Sequence, residues 1–185
     1  MKPAEEDYER LVFINCPFDE EYLPLFRAST FAVMACGYVV RSALQDMNAG
    51  EVRMNKILRL IKTCRFGIHD VSRTALDPEN QLPRFSMPLE LGLFLGAAHF
   101  GNPAQRRKQT LVLDVDRHRY QKFISDIAGQ DIKAHGNDPD RVIGIIRDWL
   151  NAASSVPLPG GKLLARRYRS FLAEVPPKLV EFKLH

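Results

Sequence analysis

Apolar residues occur in this chain as short unbroken runs separated by longer stretches with helical spacing. Leu11-Val12-Phe13-Ile14 follows a charged leader (1–10) and has the length and density of a strand buried on both faces. From about Glu20 to Cys36 the apolar positions Leu23, Phe26, Phe31 and Met34 predict a helix, closed by Gly37. Tyr38 to Ala43 predicts a second strand. Glu51 to Cys64 predicts an amphipathic helix with Ile57, Leu60 and Ile61 inward and Arg53, Arg59 and Lys62 outward. Phe66 to Val71 predicts a third strand. After a long loop, a helix from Pro88 to about Phe100 is apolar on nearly every side, as a mostly buried helix would be. Thr110 to Asp114 predicts a fourth strand, a segment around Ile132 a fifth, and Asp140 to Ala153 the last core helix. Strands alternating with helices imply an α/β domain over 11–153: a doubly wound, mostly parallel five-stranded sheet flanked by helices. Beyond Ser154, Val156-Pro157-Leu158-Pro159-Gly160-Gly161 has the composition of a linker. A basic helix, Lys162 to Glu174, completes the 154–185 tail, with Leu163, Leu164, Tyr168, Phe171 and Leu172 on one side to pack on a second copy, on a partner or, as the plainest reading, on the domain itself.

Composition narrows the function classes only slightly. The 185 residues are enough for one domain with a full core, and the net charge of +4 permits a phosphate-bearing ligand without arguing for nucleic acid. No apolar run reaches the length of a membrane span, and the leader has no apolar core of a signal peptide; the expectation is a cytoplasmic protein with no membrane partner. Cys16, Cys36 and Cys64 match no metal-ligand spacing and are expected to be buried free thiols, so neither a metal nor a resident cofactor is expected.

Candidate chemistry concentrates where the predicted strands end. Glu90 puts a carboxylate in an apolar helix, close behind Pro88, whose fixed φ and missing N–H suit a first helical turn and so predict Glu90 in that turn. Asp70 ends the third strand. Carboxylates at the ends of neighbouring elements suit attack on, or electrostatic stabilisation of, an oxocarbenium-like sugar carbon, with the second acid holding hydroxyls or protonating a leaving base. The bland alternatives are a helix-terminal Glu satisfying free N–H groups and an Asp capping a loop. The loops expected to converge there carry Asn15, Cys16, Pro17, Phe18, Asp46, Ser72 and Met87, with Arg53, Arg73 and Arg84 as phosphate contacts. Ser72 and Cys16 have no evident base beside them, and His69 is expected to be a satisfied or solvent-facing side chain. No Gly-rich phosphate loop follows the first strand, which argues against dinucleotide dehydrogenases and P-loop enzymes.

Ile14-Asn15-Cys16-Pro17-Phe18 after the first strand, Asp70 after the third, and Glu90-Leu91-Gly92 in the next helix resemble the nucleoside 2-deoxyribosyltransferases. The layout of elements over Leu11–Leu150 is also similar to Toll/interleukin-receptor (TIR) domains, whose bacterial and plant members cleave NAD, and to the flavodoxin-like order. The resemblance implies a catalytic Glu90 acting on an N-glycosidic bond, Asp70 holding or protonating the substrate, and a Pro-Phe loop bordering the base. The transferases usually carry a second acid ahead of the nucleophile; here Arg84-Phe85-Ser86-Met87-Pro88 stands in that place. That departure favours a nucleotide, with NAD the leading candidate, over a bare nucleoside. The resemblance also implies a homo-oligomer and, by analogy alone, a role in bacterial antiviral defence. The alternative is a non-catalytic nucleotide-binding sensor or adaptor that signals to a protein partner through residues 160–185. A phosphoryl-accepting receiver ranks last, because Asp114 and Asp116 lack a suitably placed Lys.

Overall fold

A computed structural model describes residues 8–44, 51–74, 76, 81–128, 130, 132–154 and 156–181, with side chains to 175. Five strands, β1 (Leu11–Asn15), β2 (Val39–Arg41), β3 (Phe66–Asp70), β4 (Gln109–Asp114) and β5 (Ile132–Ala134), pair in parallel throughout in the order β2-β1-β3-β4-β5. Helices α1 (Leu23–Ala35), α2 (Arg53–Thr63), α3 (Ser86–Phe100), α4 (Pro139–Ala153) and α5 (Gly161–Glu181) complete the chain, and the sheet is doubly wound as the sequence pattern predicts.

Two apolar cores sit on the two faces of the sheet because β1 and β3 are buried on both. Val12, Ile14, Phe66 and Ile68 pack against Leu25, Ala28 and Ala32 of α1, Val142, Ile146 and Leu150 of α4, and Leu164 and Tyr168 of α5. Leu11 and Phe13 point the other way, onto Ile57, Leu60 and Ile61 of α2 and Phe94 of α3. Parallel strands buried on both sides have no polar face to alternate with, so they read as continuous apolar runs. The chain steps from β1 outward to β2, then returns to the other side of β1 to form β3. The carboxyl ends of β1 and β3 therefore flank the switch point, where adjoining loops leave in opposite directions.

Helix α3 departs from its sequence expectation in two ways. It starts at Ser86, two residues before Pro88, so Glu90 lies just past the first turn. Pro88 is tolerated inside the start because the first N–H groups of a helix have no intrahelical acceptor; the first such bond runs from Leu89 N to Phe85 O. Nor is the helix mostly buried. Only the stripe Met87, Glu90, Leu91 and Phe94 is covered, while Leu89 is 51% and Phe100 82% exposed. In α5, Leu164 and Tyr168 pack on the domain as expected, joined by Ala165, but Phe171 and Leu172 remain exposed.

At the opposite end of the sheet, Lys108 is buried, with Nζ 4.4 Å from the Phe94 ring centre, and donates to the carbonyls of Ile61 (2.6 Å) and Cys64 that end α2. Burial pushes its ammonium down to about 8. Just ahead of β1, Tyr8 donates to the Ala104 carbonyl, and Glu9 pairs with Arg65 and Arg107.

Gly67 is the close-approach point between β3 and α3. A Cβ there would stand 2.7 Å from both His69 Nε2 and Phe94 Cζ, both in buried side chains. Gly67→Ala is expected to cost about 1–3 kcal/mol by overpacking, read as a fall of about 3–10 °C in melting temperature. An unchanged melting temperature would mean that these rings relax freely.

Candidate functional site at the strand ends

Asn15, the last residue of β1, faces α3. Its amide Nδ2 donates at 3.0 Å to the Met87 carbonyl in the first turn of α3 and at 3.0 Å to His69 Nδ1 on β3. One side chain thereby fixes the start of α3 against the sheet and, with it, the direction in which Glu90 leaves the helix. The bond to Nδ1 places the ring proton of His69 on Nε2, which has no partner among the described residues. His69 is fully buried, edge-on to Phe13 and Phe94, and burial lowers its pKa to about 3. It is a neutral packing residue, satisfied at Nδ1 and not solvent-facing.

Glu90 is 6% exposed and has no hydrogen bond or ion pair among the described residues. Burial pushes its carboxyl up to about 7, and the Arg53 guanidinium pulls the other way. The capping alternative does not hold for it, because α3 has no acidic residue in its first turn and no side-chain cap. What remains is a desolvated carboxyl that titrates near neutrality.

Asp70 faces the other side of the sheet, with no exposed surface. Its Oδ2 accepts from Tyr22 Oη at 2.6 Å and its Oδ1 from the Ser72 N–H at 2.8 Å. His135, also fully buried, holds Nε2 3.1 Å from the same Oδ2 in a bent geometry. Its Nδ1 accepts from the Asn137 N–H, which leaves the ring proton on Nε2, facing the carboxylate. Tyr22 keeps its proton, held well above the phenol range by burial and then by Asp70. Asp70 is thus a buried carboxyl that accepts from Tyr22 and Ser72 and faces His135. Sequence reading missed Tyr22 and His135, which lie far from Asp70 along the chain in otherwise ordinary contexts.

Cys16 sits at the crest between the two acids. Its buried thiol is raised well above the ordinary range by burial, then by Asp70, Glu90 and Asp19, so it stays protonated and is no nucleophile. All three cysteines are buried and free, as expected. Pro17 is buried beside Cys16, while Phe18 is half-exposed and stacks edge-on to Phe26 at 5.6 Å. The Ser72 hydroxyl is buried without a partner among the described residues.

The arginines separate into two groups. Arg73 pairs with Glu21 at 2.7 Å and lies 3.8 Å from Asp19; Arg84 lies 3.7 Å from Asp19. Arg53, the first residue of α2, is exposed and has no ion pair among the described residues. Further along the sheet, Asp114 is buried under Arg119, which bonds Oδ1 through Nε (2.8 Å) and Nη2 (2.7 Å) and reaches the Val71 carbonyl. Of the two acids on which the receiver reading rested, Asp114 is buried beneath Arg119 and Asp116 is exposed. Asp46 lies outside the described residues.

The structure thus brings Asn15, Cys16, Met87 and Glu90 together at the switch point and seats Asp70 behind them on the other face. Among the described residues no group of His, Cys, Asp and Glu is arranged to hold a metal ion, and no helix is long and apolar enough to cross a membrane. No protein-family model matches the chain, and no curated protein or solved structure matches it significantly.

Proposed function

We propose that this protein cleaves the N-glycosidic bond of a nucleotide or nucleoside, with NAD the leading candidate, and that Glu90 is the catalytic carboxylate. The observation that carries the reading is Glu90 itself: a buried, unpartnered carboxyl titrating near 7 at the switch point of a doubly wound sheet. Structural carboxylates in such positions acquire donors, as Asp70 does. An unpaired one stores desolvation energy, and a developing positive charge on the sugar carbon relieves it. In its ionised form Glu90 attacks or stabilises C1′ while the C1′–N bond breaks and its electron pair leaves on the base; water then adds to C1′, and the proton it releases balances that taken up by the base. Phe18 and Pro17 supply an apolar wall for the base. Asp70, enclosed by Tyr22, Ser72 and His135, orders the loop that follows β3 and does not touch the sugar. The site needs no resident cofactor: the nucleotide is the substrate.

The test is incubation of concentrated protein with NAD and a panel of nucleosides and nucleotides, with products read by mass spectrometry. Release of a free base by the wild type and not by Glu90→Gln is the expected result. Equal release by both would remove Glu90 from the chemistry. A second reading, a nucleotide-binding adaptor acting through its C-terminal helix, is favoured by a cavity of about 670 Å³ between α1 and α5 lined by Phe26, Phe31, Met34 and Phe171. Nucleotide bound without product at any protein concentration would select it.

A further inference from the structure

Helix α3 is apolar on its solvent side as well as on its core side. Opposite the buried stripe of Met87, Glu90, Leu91 and Phe94, the positions Phe85, Leu89, Gly92, Gly96 and Phe100 follow one another at helical spacing and lie along one line. Phe85 is 66%, Leu89 51% and Phe100 82% exposed, and none of the five positions carries a charge. Helix α2, packed beside α3 in the same core, turns Asn55, Arg59 and Lys62 outward, as a helix that ends at water does. A line of large apolar side chains in that position marks a surface that another protein covers.

The glycines in the middle of this line bear on what covers it. Both stand in the interior of the helix without positive φ, where glycine weakens a helix relative to alanine. A Cβ at either one would meet nothing within 4 Å, so packing within the chain accounts for neither. Gly67 is the contrast, since its neighbours leave a Cβ no room. A flat, open centre between two raised ends lets a second backbone approach closely.

We propose that the outer face of α3 is the interface of a homodimer, in which two copies of the helix pack antiparallel about a two-fold axis between Gly92 and Gly96. Three features select a second copy of this chain. The face is its own complement: such an axis sets Gly92 against the partner's Gly96, and the Phe85 and Leu89 end against the partner's Phe100. It carries no charge that a partner of opposite charge would have to match. Its area also suffices. The exposed parts of Phe85, Leu89 and Phe100, with half-buried Leu93 and the glycines between them, come to about 500 Å² in each copy. A pair therefore buries about 1,000 Å², the threshold for a specific interface. Pairing braces from outside the helix that turns Met87 and Glu90 inward, and it does not depend on what Glu90 does.

The experiment is sedimentation equilibrium of the full chain over a wide range of concentration. Wild type is expected to pass from monomer to dimer with a dissociation constant on the order of 10 µM, the weak end for a small interface. Gly92→Gln combined with Gly96→Gln fills the open centre with good helix formers. It should weaken dimerisation by about thirtyfold or more while the melting temperature of dilute protein stays the same or rises. Leu89→Lys and Phe100→Glu test the orientation, and both side chains are exposed, so neither change opens the core. Each variant alone should be monomeric. An equimolar mixture should associate, because one end of the mixed dimer joins opposite charges while the other keeps Leu89 against the partner's Phe100. A wild type that stays monomeric throughout overturns the proposal and leaves the face to a protein of different sequence. Glycine variants that dimerise as well as wild type overturn it too, and a mixture no more associated than its components overturns the antiparallel pairing.

Discussion

Glu90→Gln is expected to lower turnover by about a thousandfold or more and, in the same protein, to raise stability above neutral pH. Gln keeps the shape of the side chain and removes the charge, so a loss of rate cannot be assigned to a cavity. The stability effect follows from the direction of the pKa change. The carboxyl moves from 4.5 up to about 7 in the folded protein, chiefly through burial. Its contribution is therefore fully present below the unfolded value near 4.5, declines as pH rises, and is lost above about 7. The full shift corresponds to roughly 3 kcal/mol, and partial solvent access brings the expected gain of the variant at pH 8 to about 1–2 kcal/mol. Activity runs the opposite way: if the ionised form attacks, the wild-type rate climbs with pH through about 7 as stability falls. Denaturant titrations of both proteins between pH 4 and 8, beside a pH–rate profile, check the two directions independently. A difference in stability that does not change with pH would show that Glu90 is paired in solution.

Asp70→Ala is the substitution expected to damage the fold most. It strips the acceptor from two donors at once, the Tyr22 hydroxyl and the Ser72 N–H, and removes the carboxyl that faces His135 Nε2 at 3.1 Å. Leaving such groups unpaired out of water is expected to cost about 3–5 kcal/mol, which for a chain of this length lowers the melting temperature by about 10–15 °C. Tyr22→Phe removes one donor and leaves the other contacts to the carboxylate, so about 1–2 kcal/mol is expected. Because Tyr22 and Asp70 touch, their effects should be strongly non-additive in a double-mutant cycle. Additive losses, or less than about 1 kcal/mol for Asp70→Ala, would mean that the enclosure is not formed in solution. The variant also separates the two acids in the proposed mechanism, since a sugar-binding Asp70 would lose affinity without losing stability.

Which parts were legible beforehand follows from what kind of information each needs. The continuous apolar run Leu11–Ile14, the helix ending at Gly37, Phe66–Ile68 and the amphipathic Glu51–Cys64 segment are local patterns, and burial of parallel strands on both faces makes the strands visible without any contact map. From that order of elements the doubly wound sheet follows, and from the sheet the switch point beside Asn15. Glu90 was legible for a related reason: a carboxylate in an apolar helix is out of place in any fold. Three features were not legible. Pro88 marks only that a helix start is near, since any of its first N–H groups can be absent, so the true start at Ser86 and the position of Glu90 past the first turn needed coordinates. Helix α3 is apolar all round, and only its neighbours decide which stripe is covered. The distant neighbours of Asp70 come from the residue that precedes α1 and from the turn after β5, brought together by strand order. Chain chemistry thus determined that carboxylates would gather at the strand ends. Tertiary structure decided that one of them is enclosed by donors while the other is left unpaired, because burial and hydrogen-bond supply belong to the surroundings of a side chain and not to its neighbours in sequence.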